Sequence, residues 1–251
     1  MAVFDFSKLT DFSTYHEQSF VALALFFYLA ISKKATAKFR DLVGLDPKSP
    51  FLKAFVFLHN AALAVFSLVV FLKSTPLVVS HYAANGWESL HCSSAFWNEG
   101  FGFWANIFYI SKYYEFVDSW ILILKGKECS FLQVYHHTGI AIAMWLGTRS
   151  EANWLLWVAV LNSFIHTLMY TYFSAATLGY RSPLAQALTT AQLTQFMIGL
   201  CGASSGYFYK GCMNESQRFS LIFIQVYAIG LIYLFYEMYK AKYKAKKHKK
   251  K

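Results

Sequence analysis

The sequence predicts an all-α integral membrane protein with about seven transmembrane helices. Two observations carry this. Hydrophobic residues make up 57% of the 251 positions and charged residues only 14%, far from the balance of an ordinary soluble domain. The apolar residues also fall into runs near 15–33, 51–73, 101–123, 131–147, 153–174, 183–206 and 218–240, each close to the roughly 20 residues that cross a bilayer core about 30 Å thick. Aromatic residues reach 20%, with many Trp and Tyr at the edges of the runs, where an amphipathic ring suits the headgroup region.

The opening residues Met1 to Gln18 lack a basic segment followed by a short apolar core, so the first run is expected to stay in the mature chain. The second and sixth runs have local start signals, Ser49-Pro50 and Ser182-Pro183, each a capping hydroxyl before a first-turn proline. The fourth is short. With no linker, soluble insert or repeat, the chain reads as one membrane domain over 1–251, with a basic cytosolic tail from about 241 to 251.

Lys and Arg set the orientation. One series of alternate loops holds Lys33, Lys34, Lys38, Arg40, Lys48, Lys53, Lys125, Lys127, Arg181 and the tail; the other holds only Lys8, Lys73, Arg149, Lys210 and Arg218. The basic series is assigned to the cytosol, which leaves the N-terminus on the luminal side. This distribution also accounts for the formal charge of +10 without a nucleic-acid surface. Lys247 and Lys249, third and fifth from the end, resemble a dilysine retrieval signal of the endoplasmic reticulum; attraction of a lysine tail to anionic lipid is the plainer account. Cys92 and Cys212 share the luminal side, an oxidising compartment, where a disulfide and two free thiols are both compatible with the sequence.

Polar groups inside a bilayer are costly and mark functional sites by default. The third run carries Lys112, Glu115, Asp118 and Ser119 at helical spacing, and a structural Lys112–Glu115 pair is the bland reading. The fourth opens with Gln133, His136 and His137. The fifth places Asn162, His166, Met169 and Tyr170 on one face, followed by Tyr172, and the sixth carries Thr189, Gln192 and Gln195. Because alternate helices run in opposite directions, all of these groups fall in the cytosolic half. The expected site is therefore polar, cytosol-facing and enclosed by helices three to six.

These motifs, in this order, resemble the ELO family of very-long-chain and polyunsaturated fatty-acid elongases, and the likeness runs from about residue 20 to the tail. Three positions depart from its usual pattern: Gln133 stands where a histidine begins the HxxHH box, Ser119 replaces a Thr, and Phe173 a Tyr. The Gln133 variant is most like elongases of algae and other protists that extend polyunsaturated chains. The resemblance implies condensation of a long-chain acyl-CoA with malonyl-CoA to 3-oxoacyl-CoA, CO2 and CoA. It implies no bound cofactor or metal, and His136, His137 and His166 as catalytic groups; because Cys129 lies outside the motifs and Cys201 has no histidine at helical spacing, an acyl-imidazole on His136 is the hypothesis for the acyl carrier. Lys112, Glu115, Asp118, Gln133, Asn162, Met169, Tyr170, Gln192 and Gln195 would bind or orient the substrate. Lys125, Lys127 and Arg181 lie in cytosolic loops beside the expected mouth, where contact with CoA phosphates and positive-inside sorting alone are both open readings. Membrane lipid and the reductases and dehydratase of the elongation cycle are the partners implied. A homodimer is kept open, and no nucleic acid is expected.

Two other classes compete. A di-iron desaturase or hydroxylase also uses histidine boxes, but only His136, His137 and His166 occupy the polar layer; His16, His81 and His91 are luminal, His59 is alone in the second run and His248 lies in the tail. A seven-helix receptor or transporter would use the same charges as a proton or solute path, yet the chain lacks the inverted halves typical of many transporters.

Overall fold

The computed structural model describes residues 11–180 and 183–244, with side chains to 243. Arg181, Ser182, Lys8 and the dilysine-like Lys247 and Lys249 lie outside the described residues. Among those described, the regular structure is helical throughout. A short turn, Ser13–His16, precedes α1 (Gln18–Leu42), α2 (Pro50–Cys92), α3 (Gly102–Tyr114), α4 (Phe116–Leu124), α5 (Phe131–Arg149), α6 (Leu155–Thr177), α7 (Ala185–Ala203) and α8 (Glu215–Tyr239). By length and composition, four helices can cross a membrane: Gln18–Leu42, Pro50–Cys92, Leu155–Thr177 and Glu215–Tyr243.

Local chemistry explains most boundaries. The Ser49 hydroxyl accepts from the Leu52 amide at 3.2 Å, with Pro50 in the first turn of α2. Ser130 caps α5 in the same way through the Gln133 amide, and Asn214 and Gln217 form a reciprocal capping box at α8. α7 is described from Ala185, two residues past Pro183, and the capping hydroxyl expected at Ser182 lies outside the described residues.

The second run was expected to end near residue 73, but α2 reaches Cys92 as two helical stretches, the first running through Pro76, that meet across a kink at Gly86 (φ +79°). Its 43 residues would measure about 65 Å if straight, roughly twice the hydrocarbon thickness. Tertiary packing carries it past the apolar run, since Leu77 and Val78 lie against the main core. The third run is not one helix. It breaks at Glu115, where the Asp118 amide bonds to the Glu115 carbonyl at 3.0 Å and tightens the turn.

α2 lies along α6, α6 against α7, α7 against α8, α8 against α5 and α5 against α3, while α1 packs outside this ring on α4 and α5. Arg40 of α1 donates to the Ile123 carbonyl at 3.0 Å, a second donor to an acceptor in the last turn of α4 that also receives the Gly126 amide at 2.9 Å. Phe101, Phe108, Met144 and Leu155 are fully buried in the ring. Lipid is as apolar as they are, so dispersion and close approach hold the helices together rather than expulsion of water. Gly139 is one such approach: a Cβ there would run into the Tyr227 ring. Cys92 and Cys212 are bonded, with Cα atoms 4.5 Å apart, joining the end of α2 to the segment before α8.

Candidate active site

One cavity of about 570 Å³ is lined by Glu115, Asp118, Gln133, His136, His137, Asn162, His166, Met169, Tyr170, Gln192 and Gln195. It therefore gathers residues of α4, α5, α6 and α7 with the α3–α4 break. The enclosure is wider than helices three to six, because Val56 and Asn60 of α2 and Phe235 and Met238 of α8 also line it. Lys125 and Lys127 border the cavity from the α4–α5 loop. Burial and the neighbouring Lys127 lower the Lys125 pKa.

Lys112 stands behind the wall. Fully buried, its Nζ lies 2.6 Å from Glu115 Oε1, 3.5 Å from Asn162 Oδ1 and 3.7 Å from the centre of the Phe108 ring. The second carboxylate oxygen of Glu115 has no hydrogen-bond partner, and His166 Nδ1 sits 3.7 Å from Oε1, too far for a hydrogen bond. Both residues line the cavity, and a buried polar atom without a partner keeps its hydrogen-bonding capacity free.

The two adjacent histidines face different neighbours, as a 100° step on a helix requires. The Gln133 amide donates to His137 Nε2 at 3.2 Å, which leaves the His137 proton on Nδ1, an atom without a partner. His136 Nδ1 lies 2.9 Å from the Tyr227 hydroxyl, and that hydroxyl donates to the His136 carbonyl at 3.1 Å. A tyrosine has one hydroxyl proton, so both contacts are hydrogen bonds only when that proton goes to the carbonyl and His136 Nδ1 donates to the phenolic oxygen. Nε2 of His136 therefore keeps a bare lone pair.

Asp118 does not orient the three cavity histidines. Its Oδ1 is 2.8 Å from His59 Nε2, and its Oδ2 accepts from the Tyr170 hydroxyl at 2.7 Å. Ser119 bonds Tyr28 at 2.8 Å. Gln192 donates to the Met169 sulfur at 3.3 Å, Thr189 bonds back to the Ala185 carbonyl, and Gln195 Oε1 is buried without a partner. Tyr172 and Phe173 are on the cavity wall. Cys201 is exposed, and Cys129 donates to the Ser119 carbonyl at 3.4 Å.

His136, Asn162, Gln195 and Phe196 also line a second, narrow and apolar cavity of about 70 Å³ that runs on between α5, α6, α7 and α8 past Ile140, Trp157, Gly199 and Leu231. Trp154 and Ala203 lie at its far end and also border a polar pocket beside the disulfide. His136 thus stands where a polar chamber meets an apolar channel.

Sequence reasoning missed His59 and Tyr227. His59 was set aside as a lone histidine, although the adjacent Asn60 made a polar pair in an apolar run. Tyr227 carried no signal among 17 tyrosines.

Glu115, His136 and His166 each offer one ligand atom within 4.8 Å of the others. The Lys112 ammonium already neutralises Glu115 and would repel a divalent cation, so this donor set fits an ion pair better than a metal.

The ELO family model, GNS1/SUR4, matches residues 13–251. The chain belongs to the ELO family. That makes it a multi-pass membrane protein and a condensing enzyme of fatty-acid elongation, of the acyltransferase type. It is similar to Fatty acid elongase 1 of Trypanosoma brucei brucei, 30% identical over 247 residues covering 87% of this chain and 79% of that protein. It is also similar to Fatty acid elongase sre1 of Dictyostelium discoideum, 37% identical over 159 residues, which are 61% of this chain and 59% of that one. With Fatty acid elongase 1 of Trypanosoma cruzi the identity is 30% over 195 residues, 72% of this chain and 66% of the other.

Proposed function

We propose that this ELO protein joins a long-chain, unsaturated acyl-CoA to malonyl-CoA, giving a 3-oxoacyl-CoA two carbons longer, CO2 and CoA, and that the acyl group passes through His136. The observation that carries this reading is the bare Nε2 of His136 at the junction of the two cavities. An acyl chain in the apolar channel would present its thioester carbonyl there, with CoA in the polar chamber.

Nε2 of His136 adds to the thioester carbonyl, the C–S bond breaks, the imidazole gives up its Nδ1 proton and the CoA thiolate takes up one proton. Malonyl-CoA loses CO2 from its carboxylate, and the resulting enolate carbon attacks the acyl-imidazole carbonyl. A C–C bond forms, the C–N bond breaks, and the departing imidazole regains its proton from solvent. His137, through its Nδ1–H, and His166 suit proton transfer or stabilisation of the developing oxyanion. Asn162, Gln192, Gln195 and Tyr170 supply further polar groups, with Met169, Gln133 and the Lys112–Glu115 pair holding the wall. Lys125 and Lys127 suit the CoA phosphates as charge-assisted donors, and Arg181 is assigned the same role from sequence alone.

The unsaturated preference rests on the Gln133 variant. Seven spans in one domain, with a luminal N-terminus and cytosolic C-terminus in the endoplasmic reticulum, are favoured by the Lys and Arg asymmetry and by a cystine on the sparsely charged side. The reductases and dehydratase of the cycle are the proposed partners, and self-association as a homodimer is a further proposal.

The test is condensation by detergent-purified protein with malonyl-CoA and a panel of saturated, monounsaturated and polyunsaturated acyl-CoAs, beside His136→Ala. The reading expects 3-oxoacyl-CoA and CO2 from the native protein only, and an acyl adduct on a histidine when malonyl-CoA is withheld. Folded native protein that makes no product from any acyl-CoA overturns it.

A further inference from the structure

We infer that His59, on a helix that contributes none of the sequence motifs, is a positioning residue of the active site, which holds the Asp118 carboxylate and through it the Tyr170 hydroxyl in the cavity wall. Three observations meet on it. His59 Nε2 is 2.8 Å from Asp118 Oδ1, and the His59 side chain is 1% exposed. The other oxygen of the same carboxylate accepts from Tyr170 at 2.7 Å, so one carboxylate is clamped between α2 and α6. Both Asp118 and Tyr170 line the polar cavity, whereas His59 does not.

The opposite ring nitrogen of His59 lies 3.3 Å from the Tyr114 hydroxyl, and Phe55 stacks on the ring. The imidazole is thus held at both ends and across one face, and its plane is set before Asp118 is considered. A carboxylate in this setting needs a partner able to donate from a fixed position. The buried lysine nearby, Lys112, is committed to Glu115 at 2.6 Å. Removing the His59 donor therefore leaves Asp118 with Tyr170 alone and frees both to turn within the cavity. The site thus holds two pairings side by side, Lys112 with Glu115 and His59 with Asp118. The second depends on a helix outside the motif set.

The inference rests on the condensing activity proposed above. The experiment compares His59→Gln, His59→Asn and His59→Phe in the full-length protein in detergent, alone and combined with Asp118→Asn, reading kcat and KM for malonyl-CoA and acyl-CoA together with thermal unfolding. A glutamine amide reaches about as far as Nε2 and can donate to Asp118, an asparagine amide is too short, and phenylalanine fills the space without donating. The expected result is near-native kcat for His59→Gln and a fall of about 10- to 100-fold for His59→Asn and His59→Phe, with KM changed far less. In the Asp118→Asn background, His59→Phe should add no further loss. Equal or better activity of His59→Phe than of His59→Gln, or losses that multiply with Asp118→Asn, overturns the inference. Should His59→Phe fail to fold, the contrast between the Gln and Asn variants decides alone: equal rates for those two overturn it. Inactive native protein would instead count against the condensing reading itself.

Discussion

The hydroxyl of Tyr227 lies between two atoms of one residue, 2.9 Å from His136 Nδ1 and 3.1 Å from the His136 carbonyl oxygen. A single tyrosine on α8 thereby fixes both the tautomer and the plane of the imidazole at the junction of the chamber and the channel. Gly139, one turn along α5, makes room for that ring.

Tyr227→Phe removes the acceptor for Nδ1 while keeping the ring that packs on Gly139. Acyl-histidine formation should slow about 10- to 100-fold, the usual effect of losing a group that orients a reactive imidazole. Acyl-CoA affinity should change little. Single-turnover mass spectrometry against an equilibrium binding measurement separates the two.

Lys112 and Glu115 are both almost wholly buried. Replacing one of them strands the other's charge, and the expected loss is about 3–5 kcal/mol for Lys112→Met or Glu115→Gln alone. The paired change Lys112→Met with Glu115→Met should recover much of the stability and none of the activity. Thermal unfolding in detergent and the condensation assay report the two quantities separately.

Gly199 lines the apolar channel, and a Cβ built there meets only Leu161, at 3.9 Å. Gly199→Leu should fold and obstruct the channel. Discrimination against the longest acyl-CoAs should rise by about tenfold or more, in line with what one or two methylenes are worth in an apolar pocket. Relative kcat/KM across a chain-length series checks this.

Burial and the Lys127 charge lower the Lys125 pKa. Its ammonium is therefore lost at a lower pH than that of an ordinary lysine, so as pH rises KM for malonyl-CoA should climb before exposed lysines titrate. Lys125→Ala and Lys127→Ala should each raise KM a few-fold, weaken its dependence on salt, and leave kcat nearly unchanged. KM measured across pH and ionic strength tests the assignment.

Most of this arrangement was legible in the sequence because polar groups are expensive in lipid. Lys112, Glu115, His136, His166 and Gln195 stood out against apolar runs, and alternating helix direction put them in one layer. What stayed hidden had other causes. A tyrosine such as Tyr227 serves equally well at a lipid interface, so its type says nothing of its partner. His59 lies far in sequence from Asp118, and that meeting depends on the packing of α2 against the neighbouring helices. The reach of α2 to Cys92 was hidden because apolarity measures contact with lipid and not the length of a helix. The break at Glu115 arises in a segment with neither proline nor glycine to announce it.

The bond between Cys92 and Cys212, 120 positions apart, makes a covalent hoop of everything between them. All the motif residues from Lys112 to Gln195 are threaded on that hoop, while His59 and Tyr227 stand on the two helices that lead into and out of its clasp. A backbone cut anywhere between the two cysteines would therefore leave a single molecule until a reductant opened the clasp, and α2 and α8 would stay fastened to each other beside the cut.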